Sequence, residues 1–209
     1  MSLLISFEGI DGSGKSTLIN KLNEYLKDSI VTREPRGTNL GYKIWKILND
    51  SIVEDNLITG DWTNFFLFLA SHSEHVNSVI KPNLTSGKTV IVDRYIDSTY
   101  VYQGLNKKLG LEKVARIMQE TVNSPIPKLT FILDIDPVIA QKRLNKRREE
   151  SGEYTNFDSM EISFHEKIRE FFYQLKKIFP ERIQIINADR SPDEVFAEVL
   201  RILKINKLC

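Results

Sequence analysis

The sequence predicts an α/β protein: a five-stranded parallel sheet covered by helices on both faces. Three observations lead there. Five short, nearly continuous apolar runs recur along the chain, as expected of strands buried on both faces. Segments with apolar residues at helical spacing lie between them. No internal repeat, low-complexity tract or Pro/Gly linker divides the 209 residues, so 1–209 reads as a single domain. Repeated β-α units of this kind wind into a parallel sheet with right-handed crossovers.

The first run, LLISFE (3–8), is the first strand, and SIVTRE (29–34) the second. KTVIVDR (88–94), KLTFILDI (128–135) and RIQIINA (182–188) complete the five. Leu18, Ile19, Leu22, Tyr25 and Leu26 share one helical face. So do Leu111, Val114, Ala115, Met118 and Val122, and again Val195, Phe196, Val199, Leu200 and Leu203. Asp136-Pro137 places a capping carboxylate before a first-turn proline. Ser191-Pro192-Asp193-Glu194 spells a capping box with proline at the first helical position.

Composition narrows the partners. Apolar residues make up 41% and charged residues 27%, with a net charge of +1, so no global field points to nucleic acid or an anionic membrane. The single cysteine, Cys209, supports neither a disulfide framework nor a metal site. His72, His75 and His165 lack metal-ligand spacing. The run WTNFFLFLA is interrupted by Asn64 and falls short of the ~20 residues a membrane span requires. The opening MSLLISFEG has no basic leader. The expectation is a soluble, cytoplasmic protein.

Residues 9–16, GIDGSGKS, match G-x-x-x-x-G-K-[ST] between a strand and a helix, the setting this phosphate loop requires. Gly9, Gly12 and Gly14 let backbone N–H groups, with Asp11 and Ser13 between them, curl around phosphate oxygens. The N-terminus of the helix through Thr17 adds its positive dipole end. Lys15 is expected on the outer phosphates and the Ser16 hydroxyl on Mg²⁺. Asp93, ending TVIVD, is the candidate second carboxylate for the metal. No N-K-x-D guanine-reading motif is present, and arginines gather at strand ends: Arg33, Arg94, and Arg143 with Arg147 and Arg148. Phosphoryl transfer relies on such cations for clamping and positioning, which favours a small-molecule kinase with ATP as donor.

FEGIDGSGKST, TREPRGT (32–38), DRYIDSTYVYQG (93–104) and NADRSPDEV (187–195), in that order over nearly the whole chain, resemble bacterial thymidylate kinases, as does FHEKI (164–168). The resemblance implies a P-loop nucleoside monophosphate kinase fold, transfer from ATP to dTMP with Mg²⁺, and a homodimer. The dimer face would draw on Trp62, Phe65, Phe66 and Leu69. By the same resemblance, Arg94 grips the acceptor phosphate and Arg33 with Pro35 places the acceptor. Phe68 stacks on the pyrimidine, Gln103 pairs with its imide edge, and Tyr102 lies against the sugar. Thr99 belongs to the same acceptor block, and Asp11 meets the sugar 3′-hydroxyl or the metal shell. The loop from Ala188 through Asp189 to Ser191 borders the adenine of ATP, and Arg143, at the base of the lid segment, binds the same nucleotide.

The pattern breaks at three positions. His72, Trp45 and Asn156 stand where the family usually carries arginine: at a thymine carbonyl, near the acceptor phosphate and in the lid. With Gly12 and Ser13 the phosphate loop is arginine-free as well. Transition-state charge is therefore expected from a lid at about 146–157, through Arg147 or Arg148. His72 would offer a neutral N–H to the base. Two alternatives follow from these departures: a kinase of another or modified deoxypyrimidine monophosphate, and a nucleotide-binding regulator of low turnover.

Overall fold

The computed structural model describes residues 2–50, 60–151 and 160–208. Asn156 and most of the expected lid lie outside them.

Strands β1 (Leu3–Glu8), β2 (Ser29–Arg33), β3 (Thr89–Asp93), β4 (Leu129–Asp134) and β5 (Ile183–Asn187) form one sheet in the order β2-β3-β1-β4-β5. Every pairing is parallel. β1 lies at the centre and all six of its residues are buried. The edge strands depart from the fully buried reading: Val31 of β2 is 43% exposed, because an edge strand has a neighbour on one side only. The core runs through the sheet, where Phe7 stacks on Phe131 with ring centroids 5.3 Å apart.

The helices are α1 (Lys15–Tyr25), α2 (Asn39–Asp50), α3 (Asp61–His75), α4 (Lys81–Thr85), α5 (Ile96–Thr99), α6 (Leu111–Val122), α7 (Pro137–Ser151), α8 (Ile162–Ile178) and α9 (Pro192–Ile205). Both expected caps form. Asp136 accepts the Val138 N–H at 2.7 Å. At α9, Ser191 Oγ accepts the Glu194 N–H at 3.3 Å while the Glu194 carboxylate accepts the Ser191 N–H at 3.0 Å. Among the described residues no helix is long and apolar enough to cross a membrane.

α5 runs into a π-helical turn, Tyr100–Asn106. Such wide turns re-aim side chains and gather at functional sites. A buried polar ladder anchors α5 from below. Ser6 shares a 2.7 Å hydrogen bond with Thr130, which donates to Asp97 at 2.8 Å. Arg182 closes the ladder with two bonds to the Asp97 carboxylate, at 2.6 and 2.7 Å.

Candidate active site

The site forms at the carboxyl ends of β1 and β3, the crevice where parallel α/β sheets bind ligands. Register does much of the assembly: Phe7 and Arg33 both stand beside Asp93 across the neighbouring pairs.

The phosphate loop leaves β1 and enters α1 with no acidic residue in its first turn and no side-chain cap, which leaves the helix N–H groups for an anion. Gly12 has φ +80, and a Cβ there would meet the Ala140 carbonyl of α7 at 2.5 Å. That approach leaves no room for a side chain at this position. Lys15 Nζ donates to the Gly9 and Ile10 carbonyls, both at 3.1 Å. Burial and the nearby Arg94 lower its pKa. Ser16 and Thr17 are exposed in the first turn of α1 and Ser13 is buried.

Arg94 sits in the left-handed region at φ +65, and its N–H donates to the Phe7 carbonyl at 2.9 Å. This backbone turn aims the guanidinium at Asp11, 2.9 Å away. Burial works against the Arg94 charge, but Tyr102, Asp11, Asp93 and Glu8 outweigh it and keep the group protonated. Asp11, opposed by burial in the same way, is held well below the usual carboxylate range by Arg94 and Lys15. Arg33 donates to Asp93 Oδ2 at 3.2 Å, whereas Asp93 Oδ1 is buried without a hydrogen-bond partner among the described residues.

A second group of side chains gathers around that pair. Arg94 lies 5.7 Å from the Tyr102 ring centre, and Phe164 of α8 covers Tyr102 at 6.2 Å. Gln103, on the π-helical turn, is 2% exposed and its Oε1 is buried without a hydrogen-bond partner among the described residues. Thr99 is buried alongside. Phe68 is half-buried and stands apart from the main apolar cluster, so its ring is not simply core packing. Beyond β5, both terminal nitrogens of Arg143 reach the Ala188 carbonyl at 3.2 Å, with Asp189 3.9 Å away.

His72 is placed differently from its sequence reading. It is 2% exposed; Nδ1 donates to Glu34 at 2.8 Å and Nε2 shares a 2.6 Å bond with Ser124. Neither nitrogen is left for a base, so its work is structural. His75 donates to the same Glu34 oxygen at 2.8 Å. Burial would raise the Glu34 carboxyl, but the two histidines hold it down at about 2. Glu34 is joined to Pro35 by a cis peptide, and Ser71 donates to the Pro35 carbonyl at 3.0 Å, so α3 holds the R-E-P turn from beneath. The expected interface face also needs correcting: Phe65 is fully buried in the core, while Phe66 is 54% exposed. Arg147 and Arg148 are exposed on the last turns of α7, leading toward residues outside those described.

Two contributors escaped the sequence reading. Glu8 accepts the Tyr95 N–H at 2.8 Å and the Ser98 hydroxyl at 2.5 Å, which braces the turn that carries Arg94. Its signal was an acidic residue inside an otherwise apolar strand. Arg36 lies in the R-E-P turn itself, where TREPRGT showed a cation with no assigned task.

A phosphate loop between the central strand of a five-stranded parallel sheet and its first helix, with Arg33 and Arg94 at the end of the neighbouring strands, is the fold of a P-loop nucleoside monophosphate kinase. Comparison with known proteins narrows the class. The thymidylate kinase family model matches residues 7–199. A thymidylate kinase of Oleidesulfovibrio alaskensis is 42% identical over 204 residues, covering 94% of this chain and 95% of that protein. One from Maridesulfovibrio salexigens is 39% identical, covering 94% and 93%. The crystal structure of thymidylate kinase from Ehrlichia chaffeensis aligns with a TM-score of 0.74 at 30% identity, covering 97% of this chain and 98% of that one. The chain belongs to the thymidylate kinase family.

Proposed function

We propose that the protein transfers the γ-phosphoryl group of ATP to the 5′-phosphate of dTMP, giving ADP and dTDP. The observation that carries this reading is Gln103. A buried amide oxygen without a partner among the described residues, next in the chain to Tyr102, is unfavourable unless a ligand completes it. An imide edge offers the N–H it needs, and the amide N–H₂ can answer a carbonyl. Phe68 would supply the flat contact for the pyrimidine.

An acceptor phosphate oxygen attacks the γ-phosphorus as the bond to the β-bridging oxygen breaks, with no covalent enzyme intermediate. The phosphate loop and Lys15 hold the donor, and Arg94 with Arg33 holds the acceptor in line. Arg94 is pre-aimed by Asp11, so little reorganisation accompanies charge development. Ser16 and Asp93, whose Oδ1 has no hydrogen-bond partner among the described residues, would hold Mg²⁺, which would supply charge neutralisation for the transferring phosphate. Among the described residues no group of three or more His, Cys, Asp or Glu is placed to hold a metal ion.

The lid cation is assigned to Arg147 rather than Arg148. Seven residues separate Arg147 from Ala140, so both lie on the face of α7 that abuts Gly12, about 10 Å apart along the axis. Arg148 is turned about 100° further round. Arg147→Ala should lower turnover at least about 100-fold, and Arg148→Ala by far less. The homodimer rests on the exposed Phe66 beside Trp62.

ADP release with a panel of nucleoside monophosphates tests the assignment. Release dependent on dTMP supports it. A different preferred acceptor, or release dependent on none, overturns it in favour of an altered specificity or a regulator.

A further inference from the structure

We propose that Arg36, braced on the ring of Trp45, is a third guanidinium gripping the acceptor's phosphomonoester. The inference rests on the kinase reading above and adds a binding residue to it.

The argument begins with charge. Around the acceptor crevice stand Arg33, Arg36 and Arg94, with Asp93 and Asp11 as ion-pair partners; the third carboxylate, Glu8, is pushed up to about 8 and is taken up by Tyr95 and Ser98. Asp93 is paired with Arg33 at 3.2 Å and Asp11 with Arg94 at 2.9 Å. Arg36 has no hydrogen-bond or ion-pair partner among the described residues, and its side chain is exposed to a ligand. The turn that carries it is held at the crevice, where the Glu34 N–H donates to the Asp93 carbonyl at 3.0 Å and Arg33 donates to the Asp93 carboxylate at 3.2 Å. In keeping with that placement, burial and the charges of Arg33 and Arg94 lower the Arg36 pKa, while Asp93 and Asp11 act the other way. A guanidinium that shares the field of two others, and lacks a counter-ion, is matched by a dianion.

The brace makes the group a positioned one. The Arg36 guanidinium carbon lies 4.7 Å from the Trp45 ring centre. Tyr42 stacks on the other part of this small ladder, 5.8 Å from Trp45 at an interplanar angle of 28°, and Lys46 closes it 5.2 Å from the Tyr42 ring. α2 is pinned to the turn by the Tyr42 N–H donating to the Thr38 carbonyl at 2.8 Å, and by the Gly41 N–H donating to Thr38 Oγ1 at 2.9 Å. Stacking leaves the edge N–H groups of a guanidinium free for phosphate oxygens while restricting the stem. Trp45 therefore supports a cation at the site without being one.

The ligand is identified by its phosphate, so the test separates phosphate from nucleoside. KM for dTMP, KM for ATP and the inhibition constant of thymidine, which lacks the phosphate, are measured for wild type, Arg36→Ala, Arg36→Gln, Trp45→Leu and the double variant Arg36→Ala/Trp45→Leu. Both Arg36 variants should raise KM for dTMP about 10- to 100-fold. Thymidine inhibition and KM for ATP should stay within about twofold of wild type, a change too small to reflect a lost ionic contact. Trp45→Leu should move KM for dTMP in the same direction but less, and the double variant should be no worse than Arg36→Ala alone. An unchanged KM for dTMP in Arg36→Ala overturns the proposal. So does an equal loss of thymidine binding, which would mark a structural effect on the turn. A wild type without dTMP-dependent ADP release is a separate outcome: it removes the kinase reading and the Arg36 assignment with it.

Discussion

Gly12 is where backbone, packing and catalysis meet most tightly, and Gly12→Ala tests all three. Two penalties combine there. An L side chain at φ +80 costs about 1–2 kcal/mol in backbone strain. The new Cβ would lie 2.5 Å from the Ala140 carbonyl, against 3.4 Å for ordinary contact, so loop and α7 must part by about 0.9 Å. Gly87 supplies the reference: its φ is +84, but a Cβ there meets nothing within 4 Å. Gly87→Ala should therefore lose only the strain, about 1–2 kcal/mol, or about 2–8 °C in Tm, with kcat unchanged. Gly12→Ala should lose a further 1–3 kcal/mol or so from overpacking. A phosphate loop displaced by nearly 1 Å should cost about 100-fold in kcat at saturating ATP. Thermal melts and coupled ADP-release kinetics read the two quantities. Equal melting points and full activity for both variants would show that α7 does not confine the loop.

Three further outcomes are expected. Gln103→Leu removes the unpartnered Oε1, so urea melts should show unchanged or slightly higher stability, by up to about 1 kcal/mol, while KM for dTMP rises about 10- to 100-fold; lower stability with unchanged KM would contradict the acceptor role. Glu8 is pushed up to about 8 by burial and by Asp97, so the folded chain binds more protons than the unfolded chain between pH 4.5 and that value. Stability must then fall as pH rises through that window, by on the order of a few kcal/mol, and Glu8→Gln should flatten the slope in urea melts at pH 5 and pH 8.5. Asp97→Asn leaves Arg182 buried without its counter-charge and should cost about 3–5 kcal/mol, whereas the double variant Asp97→Leu/Arg182→Met should recover most of that loss; a double variant no better than the single would rule out unpaired charge as the cause.

The local signals translated well into structure. The glycine pattern and Lys15 lie on the strand-loop-helix unit they predicted, and Ser191 with Glu194 closes the capping box it spelled. The block DRYIDSTYVYQG stood out in the sequence as a motif, but not as a short helix running into a π-helical turn. Hydrophobic period gives no cue for one widened turn. His72 shows the opposite case: an odd residue at a familiar position suggested altered substrate contact, yet the ring has turned inward to Glu34 and Ser124.

Short-range chemistry was therefore settled by the sequence alone: which residues form strands, where phosphate is cradled and where helices begin. These depend on neighbours within about one turn of helix or one loop, and the sequence displays those directly. The tertiary structure alone decided the long-range pairings. Arg94 reaches Asp11 across 83 residues, His72 reaches Ser124 across 52, and Arg182 reaches Asp97 across 85. Such partners meet only through the strand order β2-β3-β1-β4-β5 and its register, so each side chain's task depends on which neighbour the sheet brings to it.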